Sequence, residues 1–198
     1  MSHEEIEVKF ILDDLATTRQ QIIAMGADLK TPRTYEENVL FDTPDHQLQQ
    51  QDRLLRLRHD HRCLLTYKEP LPTPDRDYKV RHEYEVQVSD RAQMQTILER
   101  LGLRPTRRYE KYRETFCYQS AEILLDETPV GTFLEIEASR AAIRDIAARL
   151  HLDFATRLTA SYSDILEAVC RTYQLPFSDM TFAHFQALPI DLHACNLT

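Results

Sequence analysis

Glu5-Ile6-Glu7-Val8-Lys9-Phe10 is the stretch on which the fold turns. Its odd positions are charged and its even positions apolar, the period-two signature of a β-strand with two unlike faces. The same alternation returns down the chain. It appears in Leu55-Arg56-Leu57-Arg58, in Leu64-Leu65-Thr66-Tyr67-Lys68, and in Arg81-His82-Glu83-Tyr84-Glu85-Val86-Gln87-Val88. It appears again at 107–116, at 122–126, and in Phe133-Leu134-Glu135-Ile136-Glu137. A further strand is expected at 38–41, ending in the turn signal Asp42-Thr43-Pro44-Asp45.

Helical periods lie between these strands. One helix is expected over 13–27, with Leu15, Ile22 and Ile23 on one face and Gly26 near its end. Ser89 is the expected cap of a second, in which Met94, Ile97, Leu98 and Leu101 share a face and Gly102 stops the helix. Ser139 caps a third, carrying Ile143, Ile146, Ala147 and Leu150. A fourth begins near Thr159, carries Tyr162, Ile165, Leu166 and Val169, and offers Ser161 and Asp164 as a capping-box pair. Residues 69–79 hold Pro70, Pro72 and Pro74 and read as an exposed loop. That loop also carries Asp75, Arg76, Asp77 and Lys79, so it is either a lid or a variable connection. Phe177, Phe182 and Phe185 imply that the tail docks on the body, which divides the chain into a main domain over 1–170 and an extension over 171–198.

The chain has 198 residues, 42% of them hydrophobic, which suits one domain with an appendage. A formal net charge of -8 argues against general nucleic-acid binding. Cys63, Cys117, Cys170 and Cys195 show no CxxC spacing and read as free thiols in a reducing compartment. The N-terminal residues lack a basic-then-apolar leader, and no apolar run approaches membrane-spanning length. A cytoplasmic protein without a membrane partner is the expectation.

Strands with one apolar face and one face charged in both signs admit two architectures. An open sheet would turn the charges to water. A closed barrel of seven or eight strands would turn the apolar faces outward against the amphipathic helices and enclose the charges in a wet lumen. The same alternation would also suit an outer-membrane barrel, but the interleaved helices and the missing leader argue against it. In the barrel reading the lumen would hold Glu5, Glu7, Glu83, Glu85, Asp126, Glu135 and Glu137, together with Lys9, Arg56, Arg58, Lys68, Lys111 and Arg113. Such charges must pair with one another or be completed by cations and polyanions. Glu-x-Glu occurs on three strands. Residues i and i+2 of a strand point the same way about 6.6 Å apart, so two carboxylates can converge on one hard cation. Oxygen-only ligation suits Mg²⁺ or Mn²⁺. Arg is suited to bidentate phosphate contact and Lys to a compact point charge.

Glu5-Ile6-Glu7-Val8-Lys9 resembles the ExExK signature of the CYTH, or triphosphate tunnel, family, which includes class IV adenylyl cyclases, thiamine triphosphatases and inorganic triphosphatases. The resemblance continues in order through Leu55-Arg56-Leu57-Arg58, Lys68, Glu83-Tyr84-Glu85 and Glu110-Lys111-Tyr112-Arg113. It ends with Leu125-Asp126, Gly131-Thr132-Phe133-Leu134-Glu135-Ile136-Glu137 and Ser161-Tyr162-Ser163-Asp164-Ile165-Leu166, covering roughly residues 4–169. It implies an α+β fold: an antiparallel eight-stranded β-barrel tunnel with amphipathic helices packed outside. It implies metal-site residues Glu5, Glu7, Asp126, Glu135 and Glu137, and triphosphate contacts from Lys9, Arg56, Arg58, Lys68, Lys111 and Arg113. Lys9 and Glu85 are the catalytic candidates, with Glu83 and Glu85 either orienting the bases or assisting a second metal. The chain departs from many relatives at Ala160, where they carry a basic residue; Arg157 is the nearby candidate substitute.

The resemblance implies a metal-dependent phosphohydrolase of inorganic or organic triphosphate, using Mg²⁺ or Mn²⁺, as monomer or homodimer. Tripolyphosphate, thiamine triphosphate and ATP are the candidate substrates. An adenylyl cyclase making cyclic AMP and pyrophosphate is the alternative, because the same cradle serves both reactions. A non-catalytic polyphosphate or nucleotide binder is the second. Elsewhere, His59, Asp60, His61 and Cys63 read as a hairpin turn rather than a metal site, Tyr109 and Tyr112 as wall packing rather than base stacking, and His193-Ala194-Cys195 as exposed tail.

Overall fold

The structure is a computed structural model that describes residues 3–73 and 75–197. Eight strands form one closed ring: β1 (His3–Leu12), β2 (Asp28–Asp42), β3 (Leu54–His59), β4 (Cys63–Pro70), β5 (Lys79–Gln87), β6 (Arg104–Tyr118), β7 (Ala121–Thr128) and β8 (Gly131–Glu137). Their order around the ring is β1-β5-β4-β3-β2-β6-β7-β8, every neighbour is antiparallel, and β8 returns to β1. Closure pairs every strand with two neighbours, apart from strand ends that run past a neighbour, and encloses one face of each. The barrel, not the open sheet, is therefore the solution to the two-faced strands.

The apolar faces point outward and are covered by helices. Val8, Phe10, Phe116, Ile123, Leu134 and Ile136 pack beneath Ile22 of α1 (Leu15–Ala24) and Ile143, Ile146 and Ala147 of α4 (Arg140–Arg149). Each such aliphatic side chain contributes roughly 1.5–3 kcal/mol through burial. A second cluster sets Leu98 of α3 (Arg91–Arg100) on Val39, Phe41 and Leu57. In a third, Tyr162, Ile165, Leu166 and Val169 of α5 (Tyr162–Tyr173) meet Tyr109, Phe133 and Leu158. Short helices complete the chain: α2 (Gln47–Gln50) in the β2–β3 connection and α6 (Phe182–Phe185) in the tail. Among the described residues no helix is long and apolar enough to cross a membrane.

The caps follow the local chemistry. Ser139 accepts from Ala142 N, and Ser161 and Asp164 form the expected reciprocal box at α5. Asp90, not Ser89, caps α3, accepting from Gln93 N at 3.0 Å. The first helix is shorter than 13–27 because Asp14 caps it and Gly26 breaks it at φ 91°, a conformation costly for any residue with a Cβ. The largest difference is β2, which begins at Asp28 rather than Asn38. Pro32 falls within a register shift between Thr31 and Thr34, where the ladder with β6 is already broken and no N–H is needed.

The proline-rich loop starts after Pro70, the last residue of β4. It is tied to α4 outside the barrel: Asp75 accepts from Arg140 at 2.8 Å, and Tyr78 is buried in the cluster beneath that helix. Pro74 lies outside the described residues. In the tail, Met180 makes a parallel bridge with Tyr109, and Met180, Phe185 and Leu192 are buried in the α5 cluster.

Candidate functional site

The lumen is a cavity of about 1050 Å³. Its wall is built from the charged positions of the alternating strands: Glu5, Glu7 and Lys9 of β1, Arg56 and Arg58 of β3, Glu83 and Glu85 of β5, Lys111 and Arg113 of β6, and Glu135 and Glu137 of β8. Lys68 joins them from β4. Asp126 sits behind this lining, wholly buried and bonded to two of its cations.

On the β6–β7–β8–β1 side the charges around Asp126 and Glu135 neutralise one another. Asp126 accepts from Lys111 Nζ at 2.8 Å, from Arg113 Nε at 2.7 Å, and from the Tyr162 hydroxyl. Arg113 also reaches Glu135 at 2.8 Å, and Lys9 lies 2.8 Å from Glu7 and 3.3 Å from Glu135. Burial pushes the Asp126 carboxyl up, but Arg113 and Lys111 outweigh it and hold the group well below its ordinary value. Burial likewise opposes ionisation of Glu135, yet Lys9 and Arg113 pull it down to about 2. Burial would lower Lys9, but Glu135 and Glu7 raise it.

The β3–β4–β5 side is looser. Arg56 donates to the Tyr109 hydroxyl and to Thr66 Oγ1, both at 3.3 Å, and stands 4.0 Å from Glu85. Arg58 is 3.7 Å from Glu36 and 3.9 Å from Glu85. Among the described residues, the Nε atoms of both arginines are buried without a hydrogen-bond partner, as is Glu36 Oε2. Glu85 accepts from Thr66 Oγ1 at 2.8 Å, and Lys68 bridges Glu5 and Glu83. Asn38 is fully buried on β2, and neither atom of its amide has a partner.

At the β1–β8 seam Glu7 and Glu137 are cross-strand partners, and Glu5 is two residues away on the same face. One oxygen from each of Glu5, Glu7 and Glu137 falls within 4.8 Å of the others. Glu7 is countered by Lys79 at 3.2 Å, but Glu137 makes no hydrogen bond or salt bridge among the described residues. Burial, then Glu5 and Glu7, push its carboxyl up to about 8. Three hard oxygen donors so close together, one of them without a cationic partner, fit a divalent cation such as Mg²⁺ or Mn²⁺. Of the five residues expected at the metal, the structure gathers these three; Asp126 and Glu135 spend their oxygens on Lys111, Arg113, Tyr162 and Lys9.

Several wall residues escape the sequence reading. Lys79 belongs to β5 and not to the loop, and Lys79-x-Arg81-x-Glu83-x-Glu85 continues one strand face. Glu36 lies upstream of the expected start of β2. Tyr109 serves the wall and the lumen together, since its hydroxyl holds Arg56. Arg157 does not replace the basic residue missing at Ala160: it donates to Asp77 and to the Phe154 carbonyl at 3.0 Å, outside the barrel. The His59–Cys63 stretch is a hairpin turn, with Cys63 buried beneath α3.

No curated protein matches the chain in sequence. Solved structures do. A proposed adenylate cyclase from Vibrio parahaemolyticus superposes with a TM-score of 0.72 at 23% identity, over 85% of this chain and 100% of that one. A protein from Pyrococcus horikoshii OT3 gives 0.68 at 27% identity, over 80% and 96%. A Hippeastrum protein gives 0.58 at 18% identity, over 82% and 95%. The sequence profile of the CYTH domain matches residues 3–163, the span that contains the whole ring of strands and every charge just described. By that match the chain belongs to the CYTH family.

Proposed function

We propose that this protein is a metal-dependent phosphohydrolase that cleaves an inorganic or organic triphosphate inside the tunnel. The observation that carries the reading is one cavity holding two incomplete sets: the carboxylate group of Glu5, Glu7 and Glu137, in which Glu137 has no cationic partner among the described residues, and Arg56 and Arg58, whose Nε atoms are buried without a hydrogen bond there. A triphosphate chelating a divalent cation completes both sets at once. The relative from Hippeastrum, described as an adenylyl cyclase with a dominant triphosphatase activity, supports this choice.

In this reading Glu5, Glu7 and Glu137 hold Mg²⁺ or Mn²⁺, which when bound supplies charge neutralisation and polarises a phosphoryl oxygen. Arg56, Arg58, Lys68, Lys111 and Arg113 grip phosphoryl oxygens, with Lys9 beside the cluster stabilising charge that grows as the bond breaks. Glu85 orients the two arginines of β3. Asp126 and Glu135 hold Lys111, Arg113 and Lys9 in place. Water attacks the terminal phosphorus, the bond to the bridging oxygen breaks, and orthophosphate leaves.

The test is phosphorus NMR of the protein with Mg²⁺ or Mn²⁺ and, separately, tripolyphosphate, thiamine triphosphate and ATP. Orthophosphate is the expected product. Pyrophosphate with cyclic AMP from ATP replaces the hydrolase with a cyclase. Tight tripolyphosphate binding without turnover leaves a binding module.

A further inference from the structure

β6 lends the tunnel Arg107, Tyr109, Lys111 and Arg113, and its two halves are held differently. From Tyr112 to Tyr118 it is paired on both edges, by β2 and by β7. From Arg104 to Lys111 the ring supplies β2 alone. The other edge is met by the tail. Met180 N–H donates to the Arg108 carbonyl and the Met180 carbonyl accepts from Glu110 N–H, both at 2.9 Å. Asp179 accepts from Arg108 N–H at 2.8 Å, and Glu110 accepts from Phe182 N–H at 2.9 Å. Arg107 donates to the Ser178 carbonyl at 3.2 Å and to the Ser163 carbonyl at 3.2 Å. The Met180 side chain is wholly buried, in the cluster that holds Tyr109 and Tyr162. These tail residues lie beyond the span matched by the family profile.

A strand paired on one edge opens more readily than one paired on both, and opening swings its side chains. We propose that residues 178–182 are a positioning strap for the anion-binding wall. Asp179 and Met180 never touch the lumen's ligand; through the backbone of β6 they set where Tyr109 and Lys111 project, and thereby the affinity for a triphosphate. The proposal rests on the triphosphate reading above.

Met180→Pro removes the donated N–H, and Asp179→Ala removes the side-chain acceptor. Met180→Leu and Asp179→Asn keep both. Leu192→Ala is the control, because Leu192 packs on the β7–β8 turn at Gly131. Two readouts are taken: amide exchange of β6 from Arg107 to Lys111, and calorimetric binding of tripolyphosphate with Mg²⁺, with KM and kcat alongside. Met180→Pro and Asp179→Ala are expected to speed exchange by about tenfold. They are expected to weaken tripolyphosphate by about tenfold, in KM and not in kcat. The conservative variants should match wild type, and Leu192→Ala should lower Tm while leaving affinity alone. Unchanged exchange overturns the strap. So does faster exchange with unchanged affinity, or Leu192→Ala weakening binding equally. If Met180→Pro does not fold, Asp179→Ala carries the comparison. A wild-type protein that binds tripolyphosphate but hydrolyses nothing removes the hydrolase reading and leaves these two readouts to decide the strap; one that does not bind it overturns both.

Discussion

The two walls of the tunnel carry similar residues in opposite states. On the β6–β7–β8–β1 wall, Lys9, Lys111, Asp126 and Glu135 are at most 3% exposed, and their ion pairs are short. On the β3–β4–β5 wall, Arg56 and Arg58 face Glu85 at 4.0 and 3.9 Å, and each leaves a nitrogen without a hydrogen bond among the described residues. Buried charges are tolerated only when fully paired, because desolvation is otherwise uncompensated. The Asp126 cluster of the first wall meets that condition from within, although Glu137 on the same wall does not, and the arginines of the second wall keep hydrogen-bonding capacity unused. In the triphosphate reading proposed above, the first wall is chiefly framework, holding Lys9, Lys111 and Arg113 in place, and the second chiefly receptor.

Breaking the framework wall should have the largest effect. Asp126→Ala strands Lys111 and Arg113 and should cost about 3–5 kcal/mol of stability, read by urea denaturation. The receptor wall should respond the other way. Arg56→Ala should leave stability within about 1 kcal/mol, yet weaken tripolyphosphate by about 2 kcal/mol, or roughly thirtyfold in KM. Equal losses of stability in both variants would erase the distinction between the walls.

Acid sharpens the comparison. Asp126 titrates below its unfolded value, so its contribution is present above the ordinary carboxylate range and lost as pH falls. Glu137 is pushed up to about 8, so the folded protein binds a proton there that the unfolded chain has released, and this contribution is lost as pH rises from the carboxylate range through about 8. A divalent cation in the cluster must expel that proton. Mg²⁺ or Mn²⁺ binding should therefore tighten as pH rises toward 8 and release up to about one proton at neutral pH, measurable by calorimetry in buffers of different ionisation heat. Glu137→Gln should abolish that proton release. The smallest effect belongs to Arg157→Ala. Its ion pair with Asp77 is outside the tunnel, so stability should fall by less than about 1 kcal/mol and KM should not move.

Much of the lumen was legible because a strand's period is two. Once Glu7 faces inward, Glu5 and Lys9 follow, and the same holds for Arg56 with Arg58 and Glu135 with Glu137. Glu36 lies just upstream of the stretch expected as a strand, and Lys79 at the end of the proline-rich stretch read as a loop, although the alternation at Lys79-Val80-Arg81 was there to be extended. The division of Glu5, Glu7 and Glu137 from Asp126 and Glu135 left no trace in the pattern, since all five are inward carboxylates on strands.

The alternation of charged and apolar residues by itself determined that the strands have two faces and which residues share the charged one, because side-chain direction is a local property of the backbone. Closure of the ring, and the choice of which charges neutralise each other, were decided only in three dimensions. Lys9 meets Glu135, Lys111 meets Asp126 and Lys68 meets Glu5 through cross-strand register and contact across the barrel. Electrostatic pairing depends on separations of a few ångströms in space, and spacing along the chain does not carry that information.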